Sequence, residues 1–483
     1  MSGAPPPPLT NGGGRSSASV ASPRAGAYLP GSAAFVGDGR GILDAVGVGI
    51  GPFNLSAAAL LHPHRELRAV FLERAPELRW HPGLMLPDAT IQVSFLKDLV
   101  TLADPTSPFS FLAFLHAHRR LYRFINCGFP RVSRREFEQY LRWVADELPS
   151  LRFGCAAEEV RLEGNHLVVE AGGALLRTGA VVLGTGLTPR VPECASPHLG
   201  PTVFHGYRFL DHVETVAGLR VAVVGGGQTG AEVVEHLLGG ASGRPASVSW
   251  VSRRPNFLPL DESPFTNEMF TPAYADHFFA LDGAERARLL EEQKLASDGV
   301  SAELLERIYR RIYQMEFVEG RPGGCTLHPG REMVGLDPCG GGWSLVLSPG
   351  AGGAAEVVHA DRVVLCTGAD YRIPPCLAPL EARISHSAHQ LAVREDFSIQ
   401  WDAPAGARIY VQNAARHRRG VAEPNLSLMA WRSAVIVNSL AGRPLYDVSE
   451  PRPLVRWVPG TPAPNGGPHD DQHRHGAGAP APA

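Results

Sequence analysis

Val221-Ala-Val-Val-Gly225-Gly226-Gly227-Gln228-Thr229-Gly230-Ala-Glu232 is the stretch whose reading decides the fold. It reads as a short apolar strand, a glycine turn and a helix. Gly225, Gly227 and Gly230 fill the slots of G-x-G-x-x-G: a tight turn, close backbone approach to a pyrophosphate, and close helix–strand packing. The helix that follows, opened by Gln228, offers free N–H groups and the positive end of its dipole to an anion. A variant copy lies upstream, Leu43-Asp-Ala-Val-Gly47-Val-Gly49-Ile-Gly51-Pro52-Phe-Asn54-Leu-Ser56, with Pro52 suited to a first helical turn. Some twenty residues on, the strand Ala69-Val-Phe-Leu ends at Glu73, placed to accept from ribose hydroxyls. The equivalent strand of the second unit, Val248-Ser-Trp-Val-Ser252, ends in Arg253-Arg254. An acid there would repel a ribose 2′-phosphate, whereas serine plus arginine pairs with it. The first site therefore suits FAD or NAD and the second NADPH. Two dinucleotide sites imply two cofactors.

Working outward, the 483 residues carry a formal net charge of −3, which gives no electrostatic case for nucleic acid or an anionic membrane. Seven cysteines with no C-x-x-C pair argue against a zinc site, a redox dithiol and a disulfide framework, and fit a reducing compartment. No apolar run approaches the ~20 residues that span a bilayer, and no secretory layout opens the chain. The expectation is a soluble cytoplasmic protein without a metal site.

The fold class expected is α/β, with two Rossmann-like dinucleotide-binding domains and a small helical substrate-binding region. Residues 1–38, rich in Pro, Gly, Ser and Ala, read as disordered, as does the tail 459–483 with His473 and His475. Between them, 39–210 and 346–458 are assigned to the FAD domain. Residues 211–345 form an inserted NADPH domain, with its helical insert at about 258–318. Helical spacing is expected over 107–121, 134–148, 284–293, 301–315 and 433–440, with a turn at Ala296-Ser297-Asp298-Gly299. Gly184-Thr-Gly186 and Cys366-Thr-Gly368 close a pair of strands.

An FAD site beside an NADPH site supports hydride transfer from nicotinamide to flavin. Without a cysteine pair, a disulfide reductase is disfavoured. Two classes stay open on residues alone: a ferredoxin or quinone reductase, and a monooxygenase whose reduced flavin captures O2 as a C4a-hydroperoxide.

Longer strings carry a resemblance: Gln92-Val-Ser-Phe-Leu-Lys97-Asp-Leu-Val, Tyr140-Leu-Arg-Trp143, Gly225 to Gly230, Trp250-Val-Ser-Arg-Arg254 and Ser427-Leu-Met-Ala-Trp-Arg-Ser433. With these, and with G-x-G-x-G-P-F-N at the first turn, the chain resembles the flavin-dependent N-hydroxylating monooxygenases of siderophore biosynthesis, the lysine and ornithine hydroxylases. The resemblance runs from about Asp44 to Pro459. It implies an FAD phosphate loop at Gly47, Gly49, Gly51, Pro52 and Asn54, with Glu73 beyond it. Gln92 and Pro424, Asn425 and Leu426 would meet the flavin. Gly225, Gly227, Gln228, Gly230, Arg253 and Ser297 would meet NADPH. Lys97 would pair with the substrate α-carboxylate, with Asn267, Glu268, Phe270 and Ser427 as further substrate contacts.

The implied reaction is FAD- and NADPH-dependent N-hydroxylation of a side-chain amine by O2. The segments Lys294 to Ser301 and Ala422 to Trp431 take the lysine-type form, so L-lysine is the implied substrate. Ornithine or a diamine (cadaverine or putrescine) is the alternative, and an NADPH-oxidising flavoprotein without hydroxylase activity a second one. No catalytic protein base is assigned. A desolvating pocket would lower the amine's solution pKa of ~10.4 and free its lone pair. The family implies a dimer or tetramer. One departure is Arg419, where a histidine usually precedes Gly420.

Overall fold

The computed structural model describes residues 41–350, 352–387, 390–449 and 453–457, so the expected disordered segments 1–38 and 459–483 lie outside the described residues. Ten strands form two parallel sheets. In chain order they are β1 (Ala45–Val48), β2 (Ala69–Leu72), β3 (Leu151–Arg152), β4 (Ala180–Leu183), β5 (Val203–His205), β6 (Arg220–Val224), β7 (Ser247–Ser252), β8 (Cys325–Pro329), β9 (Arg362–Leu365) and β10 (Arg408–Val411). The first sheet has the order β10-β4-β1-β2-β3, and the second β8-β7-β6-β9-β5. The central strands are unbroken apolar runs, Ala-Val-Gly-Val in β1 and Val-Ala-Val-Val in β6, buried along their length. Parallel sheets covered on both faces require such runs, because neither side of the strand meets water.

The second sheet draws in strands from both sides of residues 211–345. β5 and β9 pair with the second sheet, in the registers Val363↔Val203 and Val221↔Arg362. The second unit therefore begins before residue 211 and ends after residue 345. Without β9 the apolar β6 would be an open sheet edge. The chain passes between the units along a short antiparallel pair, Thr188–Pro189 against Ala369–Asp370. Each unit also carries a three-stranded antiparallel sheet, one within residues 157–178 and the other within 331–360.

Eight helices matter to the site: α1 (Pro52–Leu61), α2 (Arg134–Glu147), α3 (Gln228–Gly239), α4 (Pro272–Ala280), α5 (Gly283–Glu292), α6 (Ala302–Tyr313), α7 (Arg416–Arg419) and α8 (Met429–Ala441). The helix expected over 107–121 is broken into Phe111–Ala117 and Leu121–Cys127, because Arg119 sits at φ 57°, outside the right-handed helical region. The turn expected at 296–299 is the end of a short helix, Lys294–Asp298. It stops at Gly299, where a Cβ would lie 2.4 Å from the Leu260 Cα. α8 starts before the expected residue 433, capped through a 3-10 turn at Leu426–Leu428.

The two units share a tightly packed seam. Leu84, Leu86 and Ala89 from the first join Phe204, Phe209 and Val213 of the second in one buried cluster. Across it, Arg134 on α2 grips Glu232 on α3 with both guanidinium nitrogens, at 3.0 and 3.1 Å. His81 stands at the seam with an exposed surface, and desolvation by the surrounding protein together with the Arg134 charge lowers its pKa from 6.5 to about 4. The unfolded chain thus binds a proton that the folded chain refuses, so stability held above pH 6.5 is lost as pH falls toward 4. His81→Gln should flatten the acid limb of a urea-unfolding stability profile in this window; a slope equal to that of the parent protein would refute the assignment.

Candidate functional site

Both glycine turns are held by the same device. Gly49 has φ +88°, and a Cβ on it would lie 2.5 Å from the carbonyl oxygen of Gly184, at the end of β4. Gly225 has φ +139°, and its Cβ would lie 2.0 Å from the carbonyl oxygen of Cys366, at the end of β9. Only glycine meets both demands. Gly47 must likewise lack a side chain, because a Cβ on it would lie 2.0 Å from the Phe71 ring, and a Cβ on Gly230 would lie 2.0 Å from the Gly225 carbonyl oxygen. The ligand-facing positions are different. A Cβ on Gly51 would meet nothing within 4 Å, and one on Gly227 would meet only the Asp298 carbonyl at 3.7 Å. Each turn therefore presents bare backbone at a helix N-terminus, where a pyrophosphate binds.

The first turn fits FAD. Glu73 lies at the end of β2, its carboxylate accepting from Ile50 N at 3.0 Å and Ala75 N at 2.9 Å. Pro52 opens α1, as its locked φ favours. Gln92 is half-buried, and its Nε2 is fully shielded without a hydrogen-bond partner. A buried amide left unpaired costs roughly 1–3 kcal/mol, so a carbonyl or ring nitrogen of a bound flavin is the kind of group that would satisfy it. Asn54 spends its side chain inward. It is fully buried, and its Nδ2 donates to Val48, Gly49 and Val182 carbonyls at 3.3, 2.9 and 3.1 Å while Oδ1 accepts from Gln412. Its side chain ties the turn to β1 and β4 from behind and has no face toward a ligand.

At the second turn, the Gln228 amide is similarly committed, with Nε2 donating to Glu232 and Oε1 accepting from Ser301 N, both at 3.0 Å. It joins the glycine turn to the start of α6, so only its backbone faces a nucleotide. Ser252 is 2% exposed beneath Gly226. That leaves Arg253 and Arg254 to carry charge at the end of β7. Arg253 is exposed and stands 3.5 Å from Glu332, a weak surface pairing that a phosphate would displace. Arg254 donates to the Asp298 carbonyl at 2.8 Å. Ser297 donates to Asp298 and accepts from Arg416 at 3.1 Å, so it sits in an arginine-rich corner beside Gly227. Sequence reasoning missed Arg416 and Asp298, which come from distant stretches with no shared motif.

Three of the residues expected to contact substrate lie together in one corner. Lys97 Nζ donates to Ser427 Oγ at 3.1 Å and lies 5.9 Å from the centre of the Phe270 ring. No carboxylate of the described residues pairs with it, and burial lowers its pKa. Asn425 Oδ1 accepts from Ser427 N at 2.8 Å and Ser427 Oγ at 2.7 Å, which orients the hydroxyl oxygen toward Lys97. Leu426 packs into the first core and Pro424 precedes this turn. Phe270 closes the 3-10 turn Glu268–Phe270, while Asn267 points to solvent at the end of a short helix and Glu268 is half-buried.

The family model for L-lysine 6-monooxygenase/L-ornithine 5-monooxygenase matches residues 41–373. The chain belongs to this family. Its members are flavin-dependent N-monooxygenases that use FAD and NADPH. The L-lysine N6-monooxygenase of Escherichia coli is 40% identical over 422 residues, covering 87% of this chain and 99% of that one. In structure, the FAD-bound cadaverine monooxygenase of Erwinia amylovora aligns with a TM-score of 0.81 at 30% identity, over 88% of this chain and all (100%) of that one. The Kutzneria ornithine N-hydroxylase, solved with reduced FAD, NADP+ and L-ornithine, aligns at 0.77 and 30% identity, over 83% and 99%.

Within this N-monooxygenase fold, no helix of the described residues is long and apolar enough to cross a membrane. No cluster of three His, Cys, Asp or Glu among them could hold a metal. Arg419, the departure from the usual histidine, is 2% exposed and bound to Asp276. For the nucleotide site, Arg253→Ala is expected to raise the NADPH KM by about tenfold or more, the scale of one lost charge-assisted hydrogen bond, with NADH unaffected. Equal losses with both nucleotides would remove Arg253 from 2′-phosphate recognition.

Proposed function

We propose that this N-monooxygenase hydroxylates the N6 amine of L-lysine, consuming O2 and NADPH, and that its product serves hydroxamate siderophore assembly. The observation that carries the reading is Lys97: a half-buried ammonium held by Ser427, facing Phe270, with no carboxylate of the described residues to neutralise it. A desolvated, unpaired cation is a receptor for an anion. The α-carboxylate of an amino acid supplies that anion, and a diamine does not. The 40% identity to a lysine hydroxylase points the same way.

When bound, FAD supplies the activated oxygen and NADPH the electrons. The chain's own residues bind and orient. Lys97 anchors the carboxylate, Asn425 and Ser427 fix where its ammonium points, and the Phe270 wall keeps water out. With one end fixed, the side-chain amine projects by its own length, so reach selects the substrate. A single methylene is worth only about 1–3 kcal/mol, so ornithine is the natural competitor. The nucleophile must be neutral, and an apolar pocket lowers an amine pKa toward that form without a protein base.

Hydroxylamine formation by the FAD-loaded protein with NADPH tests this with L-lysine, L-ornithine, cadaverine and putrescine side by side. Product with L-lysine alone is expected. Product with a diamine instead would keep the chemistry and overturn the role of Lys97. No hydroxylamine with any amine, while NADPH is still oxidised, would overturn the hydroxylase reading. Lys97→Ala should raise the L-lysine KM by roughly 30-fold or more, the lower end for removing one partner of a desolvated charge pair, at normal FAD content. Because burial lowers the Lys97 pKa, carboxylate binding should weaken as pH rises through a value below the ordinary lysine range. Lys97→Arg, charged throughout, should abolish that alkaline weakening; its persistence would assign the titration to another group.

A further inference from the structure

Arg419 ends the single turn α7 and is 2% exposed. Burying a guanidinium is costly unless it is paired, and no carboxylate of its own chain segment is hydrogen-bonded to it. The nearby acid, Glu423, belongs to Arg432, which it meets at 2.5 Å. Arg419 instead reaches across to the helical insert, where its Nη1 donates to Asp276 Oδ1 at 2.6 Å, and its Nη2 donates to the Glu395 carbonyl. Three rings surround the cation: Phe279 with its centre at 4.4 Å, Phe397 at 4.6 Å and Trp431 at 5.9 Å.

The origin of these partners matters more than their number. Asp276 and Phe279 lie on α4, the helix that follows Phe270. Trp431 lies on α8, which follows Ser427, and Phe397 and Glu395 precede β10 in the first sheet. Phe270 and Ser427 are the two groups that flank Lys97. One guanidinium therefore grips the insert on one side and the flavin-binding unit on the other, through the helices that follow Phe270 and Ser427 in the chain. A planar fork with five donors and two stackable faces can do this; an ammonium or a neutral side chain cannot.

We infer that Arg419 is a positioning residue that clamps the α4 wall to the α8 wall and so sets the width of the amine pocket. The inference rests on the substrate corner proposed above. It explains why the cation is buried at all: the acid it meets, Asp276, is mostly exposed, and such a pair on a surface would contribute little. Loosening the clamp moves Phe270 relative to Ser427 without touching either dinucleotide turn. A displacement on the order of 1 Å in a positioned site costs up to about a hundredfold in rate.

The test uses the FAD-loaded full chain with Arg419→Lys, Arg419→Ala and Asp276→Asn. The last variant changes an exposed acid and keeps the fold safe if the arginine variants unfold. Hydrogen exchange over residues 268–280 should speed up in each, with exchange at both glycine turns unchanged. The amine KM should rise by about tenfold, and a smaller share of the NADPH oxidised should appear as hydroxylamine. The Arg419→Ala and Asp276→Asn effects should be less than additive when combined, because they break one contact. A lowered melting temperature with normal exchange over 268–280, normal KM and normal yield would mean a merely structural arginine and overturn the inference. The exchange readout needs no substrate, so faster exchange in a protein that makes no hydroxylysine would preserve the clamp and refute only the substrate assignment.

Discussion

At both dinucleotide turns a backbone carbonyl stands where a side chain would otherwise have to be. Gly184 O fills that place beneath Gly49, and Cys366 O fills it beneath Gly225. Both carbonyls belong to segments that leave a parallel strand, β4 in one sheet and β9 in the other. The turns are thus built by two distant parts of the chain at once. This is why the second unit takes β5 and β9 from outside a simple insertion. A strand–turn–helix alone would leave the apolar edge of β6 open, and the contact that shapes Gly225 would be missing.

The same interleaving gives the site its rigidity. Glu232, inside the glycine-motif helix, is almost wholly buried and receives Arg134 from the other unit and Gln228 from its own. A carboxylate in that position carries a heavy desolvation penalty unless both oxygens are satisfied, and here they are. Gln228 then passes the connection to Ser301 at the head of α6. From the seam to the nucleotide turn to the helical insert, the links are short charge-assisted or amide hydrogen bonds between residues with little freedom left.

Much of this was legible in the sequence, for physical reasons. Glycines at fixed spacing after an apolar strand can be read because sterics leave few alternatives, and the two turns, their strands and their helices are where the pattern places them. Lys97, Phe270 and Ser427, far apart in the chain, do come together. What could not be read is which face of a polar residue is spent inward. Asn54 and Gln228 look like ligand contacts by position, yet their amides are consumed by backbone and side-chain groups, some of them brought in by other strands and helices. The hydrogen-bond capacity of an amide is the same in either role, so only the tertiary structure decides. The Arg416–Asp298 contact was invisible for a related reason: an arginine late in the chain carries no mark of the acid it will meet.

The buried arginines beside Pro424 to Ser427 raise the question of why charge is kept where apolar residues would pack at less cost. Arg432 is fully buried, meets Glu423 at 2.5 Å, donates to the Glu423 carbonyl at 3.0 Å and lies over the Phe53 ring at 4.6 Å. Desolvation pushes the Glu423 carboxyl pKa up and the Arg432 pKa down, so each resists ionisation alone and each is held charged by the other. Glu423 also accepts from Ala415 N. An apolar pair would fill this volume yet would permit sliding, whereas these hydrogen bonds fix register. Glu423 immediately precedes Pro424, Asn425, Leu426 and Ser427, and Phe53 belongs to the helix that opens at the first glycine turn. The pair therefore holds the segment that presents Ser427 to Lys97 in a fixed relation to the turn suited to FAD. A site in which a flexible amine must meet one reactive atom depends on that relation more than on total stability, and directional contacts maintain it where packing alone would not.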